Sequence, residues 1–187
     1  MSTIIGVCGY SGAGKTTFCR EMARRFELPV LSTGEVVRHR VLARGLDLTP
    51  EIIARVSDEI REETGGRFLR ILEPNLLDRF VLSPAVLLDC LREESDLVTA
   101  RELADRVVLI AITAGEEVRA ARSRGRGRPG DPASRQAALT LDAIERRLGA
   151  DRLLASADYV LSNDGRLDQL VERATAVVSG ILDGGGG

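Results

Sequence analysis

Residues 6–17 read GVCGYSGAGKTT. Small residues crowd around one lysine, and that lysine stands out against the whole chain: of 26 basic side chains, Lys15 is the single lysine and the other 25 are arginine. Arginine carries a wide planar fork, whereas lysine ends a thin flexible stem in a compact ammonium. A site that keeps lysine against such a background needs the compact charge. Gly9, Tyr10, Ser11, Gly12, Ala13, Gly14, Lys15 and Thr16 satisfy G-x-x-x-x-G-K-[ST] at every position, directly after an apolar strand-like run and at the start of a helix-like one. Glycines let the backbone curl until successive N–H groups point inward, and the helix that follows adds its positive end. The stretch therefore reads as a cradle for a phosphate chain, a P-loop. In it Lys15 is expected to bridge β- and γ-phosphates, Thr16 to offer a hydroxyl to Mg²⁺ and Thr17 to lie by the α-phosphate.

Around the loop the chain alternates between two periodicities. Five β-rich segments recur: TIIGVC (3–8), LPVLST (28–33), AVLLDC (85–90), RVVLIAI (106–112) and ADYVLSN (157–163). Most are continuously apolar, which suits strands covered on both faces. Between them the apolar spacing is helical, most clearly where Leu167, Leu170, Val171, Ala174, Val177, Val178 and Ile181 recur at threes and fours. Another helix is expected to open with Thr49 as N-cap and Pro50 in its first position, and to stop at Gly65 and Gly66. Strands alternating with helices imply parallel pairing through right-handed crossovers, and so a three-layer α/β/α fold with a five-stranded parallel sheet. The expectation is one domain with core segments 1–33, 85–112 and 157–183, a helical insertion over 34–84 and a lid region over 113–156. The closing GGGG (184–187) has nothing with which to pack a core.

A phosphate cradle does not by itself distinguish an enzyme from a switch or a motor. The run VLLDC ends its apolar stretch in Asp89, which fits the aspartate that faces Mg²⁺ across a P-loop. No D-x-x-G follows it and no N-K-x-D occurs, since NDGR (163–166) differs in both lysine and spacing, so the parts of a GTPase switch are missing. Glu93 and Glu94 stand several residues beyond Asp89 rather than directly after it, so the arrangement common in hydrolytic motors is missing too. Water is not the expected acceptor.

Composition narrows the partners. The chain has 187 residues, 44% hydrophobic and 29% charged, with a net charge of −2. That leaves no broad positive field for nucleic acid or an anionic membrane, and any polyanion must be met locally. Apolar runs such as VVLIAI (107–112) are far too short to span a bilayer, and no basic region leads into a long apolar stretch at the amino end, so a cytoplasmic location is expected. Cys8, Cys19 and Cys90 show no metal-ligand spacing, and buried thiols are expected rather than disulfides or a zinc site.

Three further segments resemble the nucleoside monophosphate kinases of the adenylate kinase type, and the related archaeal kinase-like proteins that are also compared with dephospho-coenzyme A kinase. STGEVVR (32–38) is similar to the T-G-D-x-x-R segment of that family, and the resemblance implies that Thr33, Gly34 and Arg38 meet the acceptor. DCLR (89–92) resembles D-G-x-P-R, which implies that Asp89 lies near Mg²⁺ and that Arg92 reaches the acceptor phosphate, although Cys90 replaces the glycine and one residue is missing. RAARSRGRGRPGDPASR (119–135) resembles the arginine-rich lid, with Arg119, Arg122, Arg126 and Arg135 as its cations, Arg122 and Arg126 assigned to catalysis, and glycines between them as hinges. A helix after it carries Asp142 and Arg146. SADYVLSNDGRLDQL (156–170) resembles the loop that packs on the donor adenine, which implies contacts from Asn163, Asp164 and Gly165. His39 is expected on a helix face near the acceptor region, as a surface or core-edge residue. Aromatic groups are absent from the basic loop, which argues against an RNA-binding surface.

Transfer of a γ-phosphoryl group is chiefly positioning and charge neutralisation. A monophosphate acceptor arrives anionic and needs no general base, whereas a hydroxyl needs one. Glu35 stands three residues before Arg38, the spacing of the monophosphate kinases rather than the D-x-D-x-x-x-R of dephospho-coenzyme A kinases. The leading expectation is an ATP- and Mg²⁺-dependent kinase of a nucleoside monophosphate-like small molecule, monomeric or homodimeric, with Lys15 and Asp89 in catalysis. Phosphorylation of a hydroxyl on a nucleotide-like substrate, and a nucleotide-sensing module without transfer, are the two alternatives.

Overall fold

The first apolar run forms β1 (Thr3–Cys8), and each of its residues is buried. A strand covered on both faces needs neighbours at both edges and helices on both sides. β3 (Ala85–Asp89) pairs parallel with one edge of β1 and β4 (Arg106–Thr113) with the other. β2 (Val30–Ser32) extends the sheet beyond β3, and β5 (Tyr159–Ser162) extends it beyond β4. The order is β2-β3-β1-β4-β5, parallel throughout. The computed structural model describes residues 1–89, 91–126 and 134–184, apart from the side chains of Pro50 and Arg126. Cys90, most of the glycine-bearing lid loop and the last three glycines therefore lie outside the described residues.

Alternation along β1 divides the core. Ile5 and Val7 face α1 (Lys15–Phe26) and α9 (Leu167–Asp183), packing with Phe18, Met22, Leu170, Ala174, Val178 and Ile181. Ile4 and Cys8 point the other way, toward Leu69, Leu72, Leu76, Leu97 and Leu153. The last two belong to α5 (Glu94–Leu103) and α8 (Ala150–Ala155). The expected three layers result. In the helical stripe of α9 Leu170, Ala174, Val178 and Ile181 are buried and Val171 and Val177 half-buried, whereas Leu167, which opens the helix, remains exposed.

Between β2 and β3 lie α2 (Thr33–Ala43), α3 (Pro50–Glu63), a 3-10 turn at Phe68–Leu72 and α4 (Glu73–Leu82). Thr49 caps α3 by accepting from the Ile52 N–H at 3.3 Å, and Gly65 and Gly66 follow the helix with φ of 60° and 81°. Val37, Val41, Val56 and Ile60 lock α2 and α3 together in a small core of their own. The second strand is shorter than its sequence run: Pro29 has no N–H for a ladder, and Thr33 already begins α2. The region 113–156 contains α6 (Glu116–Arg126), α7 (Arg135–Arg147) and α8. Ser134 caps α7 through the Ala137 N–H, and Gly149 at φ 101° turns the chain from α7 into α8. Among the described residues no helix is long and apolar enough to cross a membrane.

Candidate active site

The loop 9–14 leaves the carboxyl end of the central strand, where open parallel sheets gather ligands. Its three glycines are required by geometry, and at Gly9, with φ +140°, a Cβ would stand 2.2 Å from the Ile112 carbonyl oxygen. Gly12 has φ +78°, and a Cβ there would stand 2.5 Å from the Arg119 carbonyl oxygen. Gly14 has φ +108°, and a Cβ there would stand 2.3 Å from Asn163 Nδ2. The loop is thus pressed between α6 and the turn after β5. Gly14 caps α1 without a side chain and no acidic residue occupies the first turn, so the positive end of the helix is not neutralised from within. Lys15 Nζ donates to the carbonyls of Gly9 (2.6 Å) and Tyr10 (3.0 Å). Ala13 is buried, Thr17 half-buried, and Thr16 exposed in the first turn of α1.

Asp89 ends β3 level with Val7 of β1 on one side and Ser32 of β2 on the other. Its side chain is nine-tenths buried, and among the described residues Oδ1 has no hydrogen-bond partner. A buried polar atom without a partner is costly, and it needs an explanation. A carboxylate oxygen beside a phosphate cradle, with the exposed Thr16 hydroxyl on the helix that follows, is a hard-oxygen donor set of the kind that suits Mg²⁺. The residues present fit that ion.

Of the residues expected to meet an acceptor, Thr33 is buried at the start of α2, one residue past the Ser32–Asp89 register. The Arg38 side chain folds back along Gly34, with Nη1 at 3.3 Å from where a Cβ on Gly34 would stand. Glu35, Arg38 and His39 are exposed. No described hydrogen bond or ion pair joins Arg38 to the loop. The turn after β3 is held by Asp96, whose Oδ2 accepts from the N–H groups of Arg92 (2.9 Å) and Glu93 (3.1 Å). Burial pushes the Asp96 carboxyl above its usual range, with those two N–H groups opposing. Arg92 lines a cleft with Gly9, Leu91, Glu145, Leu148 and Leu153, between the loop and the α7–α8 corner.

The arginines expected to form a lid sit in different settings. Arg119 is committed internally: its guanidinium forks onto Asp142 at 2.8 and 2.6 Å, donates to the Ser11 and Ala114 carbonyls, and lies 5.0 Å over the Tyr10 ring. The Asp142 hydrogen bonds hold its pKa above the ordinary value. Arg119 therefore bolts α6 and α7 to the loop in this structure. Arg122 is half-buried, and its buried Nη1 has no partner among the described residues. Arg135 is exposed and pairs with Glu116 at 3.6 Å. The Arg126 side chain lies outside the described residues.

The loop after β5 meets the cradle from below. Asn163 is buried and donates Nδ2 to the Ala13 carbonyl at 2.7 Å. Asp164 accepts from the Gly115 N–H at 2.6 Å, which holds its carboxyl below the usual range. Gly165 lies against Gln169, whose Oε1 is 2.5 Å from where a Cβ would stand.

Residues 8–137 match the family model described as AAA domain. A UPF0200 protein of Thermococcus gammatolerans is 30% identical over 187 residues, covering 97% of this chain and 96% of the relative. Another, of Hyperthermus butylicus, is 32% identical over 178 residues, covering 94% and 93%. The chain is an AAA-domain protein of the UPF0200 family. Among solved structures, a putative kinase from Chloroflexus aurantiacus superposes with a TM-score of 0.64 at 19% identity, covering 98% of this chain and 97% of that one. A gluconokinase from Sinorhizobium meliloti gives 0.63 at 19%, covering 98% and 94%, and a shikimate kinase from Bacteroides thetaiotaomicron 0.59 at 18%, covering 97% and 98%. At these identities the likeness shows the fold, that of a P-loop kinase.

In this UPF0200 chain, sequence reasoning missed Glu145 and Asp151, which brace the loop from α7 and α8. Glu145 Oε2 accepts from the Ser11 N–H at 2.9 Å. Tyr10 donates its hydroxyl to Asp151, which also receives Arg146 Nε at 3.2 Å. Burial, with Asp151 next, raises the Tyr10 pKa. Asp142 and Glu145 are three apart on one helix, which does put them on one face. Nothing local in the sequence marks that face as the one turned to the loop.

Proposed function

We propose that this protein is an ATP- and Mg²⁺-dependent phosphotransferase acting on a small nucleoside monophosphate-like acceptor. The observation that carries the reading is Asp89 Oδ1, buried and without a partner among the described residues, one strand across from the curled loop of residues 9–14. Asp89 and Thr16 would hold Mg²⁺, which when bound supplies neutralisation of the charge that builds on the transferring phosphoryl group. Loop amides and Lys15 bind the phosphate chain, Lys15 leaving the Gly9 and Tyr10 carbonyls to reach it. Arg92 in the cleft, with Arg38 and Thr33 at the start of α2, holds the acceptor. Arg122 brings a further guanidinium to the donor side. An acceptor phosphate oxygen then bonds to the γ-phosphorus as the bond to the β–γ bridging oxygen breaks, and ADP leaves. Oriented cations lower the barrier without a general base.

A second reading is favoured by one observation: the Glu145 carboxylate lines the same cleft as Arg92. A hydroxyl-bearing acceptor would find a proton acceptor there. An acceptor panel separates the readings. Purified protein with ATP and Mg²⁺ is expected to form ADP when supplied with at least one nucleoside monophosphate, and Lys15→Ala to lose turnover by orders of magnitude while melting at nearly the same temperature. ADP formed only with hydroxyl substrates selects the second reading. ATP binding with no transfer to any acceptor rejects both.

A further inference from the structure

A P-loop amide is held by a carboxylate of the same chain. Ser11 N–H donates to Glu145 Oε2 at 2.9 Å, and Ser11 is the third residue of the G-x-x-x-x-G-K-[ST] cradle. The contact is built rather than incidental. One turn earlier on α7, Asp142 receives both forks of Arg119, and Arg119 also donates to the Ser11 carbonyl at 3.3 Å. The corner that follows α7 is fastened by Tyr10 on Asp151. Contacts on either side of Glu145 thus tie α7 to Ser11 and α8 to Tyr10, and the carboxylate is delivered to the amide by helix geometry.

We propose that Glu145 is an internal competitor for the phosphate cradle, a positioning residue that sets the polyanion affinity of the loop and links it to the acceptor cleft. The inference rests on reading residues 9–16 as a phosphate cradle. A phosphate oxygen and a carboxylate oxygen seek the same donor, and two anions at one amide repel each other. A phosphate chain that engages the rim of the loop must push Glu145 off Ser11. Glu145 also lines the cleft that holds Arg92, so its departure changes the wall of that cleft. Nucleotide binding would thereby reshape the acceptor side before an acceptor enters.

The probe is inorganic tripolyphosphate, titrated calorimetrically into the full chain, wild type beside Glu145→Ala and Glu145→Gln. Alanine favours helix and leaves α7 intact, while glutamine keeps an acceptor oxygen and drops the charge. Removing one charge-assisted competitor is expected to tighten binding by on the order of tenfold in Glu145→Ala, with Glu145→Gln in between. A purely structural brace would lower the melting temperature without raising affinity. Equal or weaker binding by folded Glu145→Ala overturns the inference and leaves the cradle standing. Failure of every form to bind tripolyphosphate overturns the cradle reading and this inference with it. Should Glu145→Ala not fold, the glutamine variant decides by the same criterion.

Discussion

A methyl group at Gly14 would come within 2.3 Å of Asn163 Nδ2, while that same nitrogen donates to the Ala13 carbonyl. One side chain, 150 positions away in sequence, therefore fixes both how close and how curled the loop is. Ala13 is fully buried, so its carbonyl has no ready access to water as a substitute partner. Asn163→Ala is expected to cost about 1–3 kcal/mol, the penalty for leaving a buried acceptor unmade. A urea titration measures it, and nucleotide affinity should fall in parallel. The sequence made the loop legible at this scale because its requirement is local: glycine spacing, one lysine, one threonine. It placed Asn163 near the nucleotide by resemblance but could not show that its amide is spent on the backbone. That contact depends on two distant turns meeting in space.

Elements carry the next level of control. Arg119 joins α6 to α7 through Asp142 and joins both to the loop through the Ser11 carbonyl, with both side chains about nine-tenths buried. Arg119→Met would strand a carboxylate in that setting, at a cost of about 3 kcal/mol. The double variant Arg119→Met with Asp142→Leu should recover most of the loss, because paired burial of charge is replaced by packing. Thermal melts of the two singles and the double test this, and a double variant no better than Arg119→Met would contradict it. Strand and helix positions were readable from apolar periodicity, and α3 from its Thr49 cap and paired glycines. Arg119 itself was not readable as a bolt. An arginine in an arginine-rich stretch looks the same whether its guanidinium turns inward to a carboxylate or outward to solvent.

For the whole molecule, charge couples stability to pH in two opposing ways. Several exposed carboxylates are held below their usual range: Glu59 by Arg44, Glu102 by Arg67, Asp105 by the Ser2 amide and Asp168 by Arg166. Their contribution is present above the unfolded carboxylate pKa, near 4, and is lost as pH falls through the lower folded values. Asp96 runs the other way: burial raises its folded pKa, so acidification through that value favours the folded chain. Asp96→Asn keeps an oxygen for the Arg92 and Glu93 amides and removes the opposing effect. The variant is expected to lose more stability than wild type between pH 6 and 3, followed by melting temperature across that range, and added salt should shrink the part due to exposed pairs. An identical pH profile for the two proteins would dispose of the Asp96 assignment. The parallel sheet and its layers followed from alternating periodicities. The balance of buried and exposed acids did not, since burial is a property of the assembled chain.

The ammonium seated on the Gly9 and Tyr10 carbonyls has one more consequence. With arginine at every other cationic side-chain position bar His39, Lys15 offers the sole ε-amine in the sequence. Amine-selective acylating reagents thus have a single side-chain amine to attack, at the mouth of the phosphate cradle. An adduct mapped to the Lys15 peptide, and its suppression by a bound ligand, reads occupancy of that cradle without any engineered label.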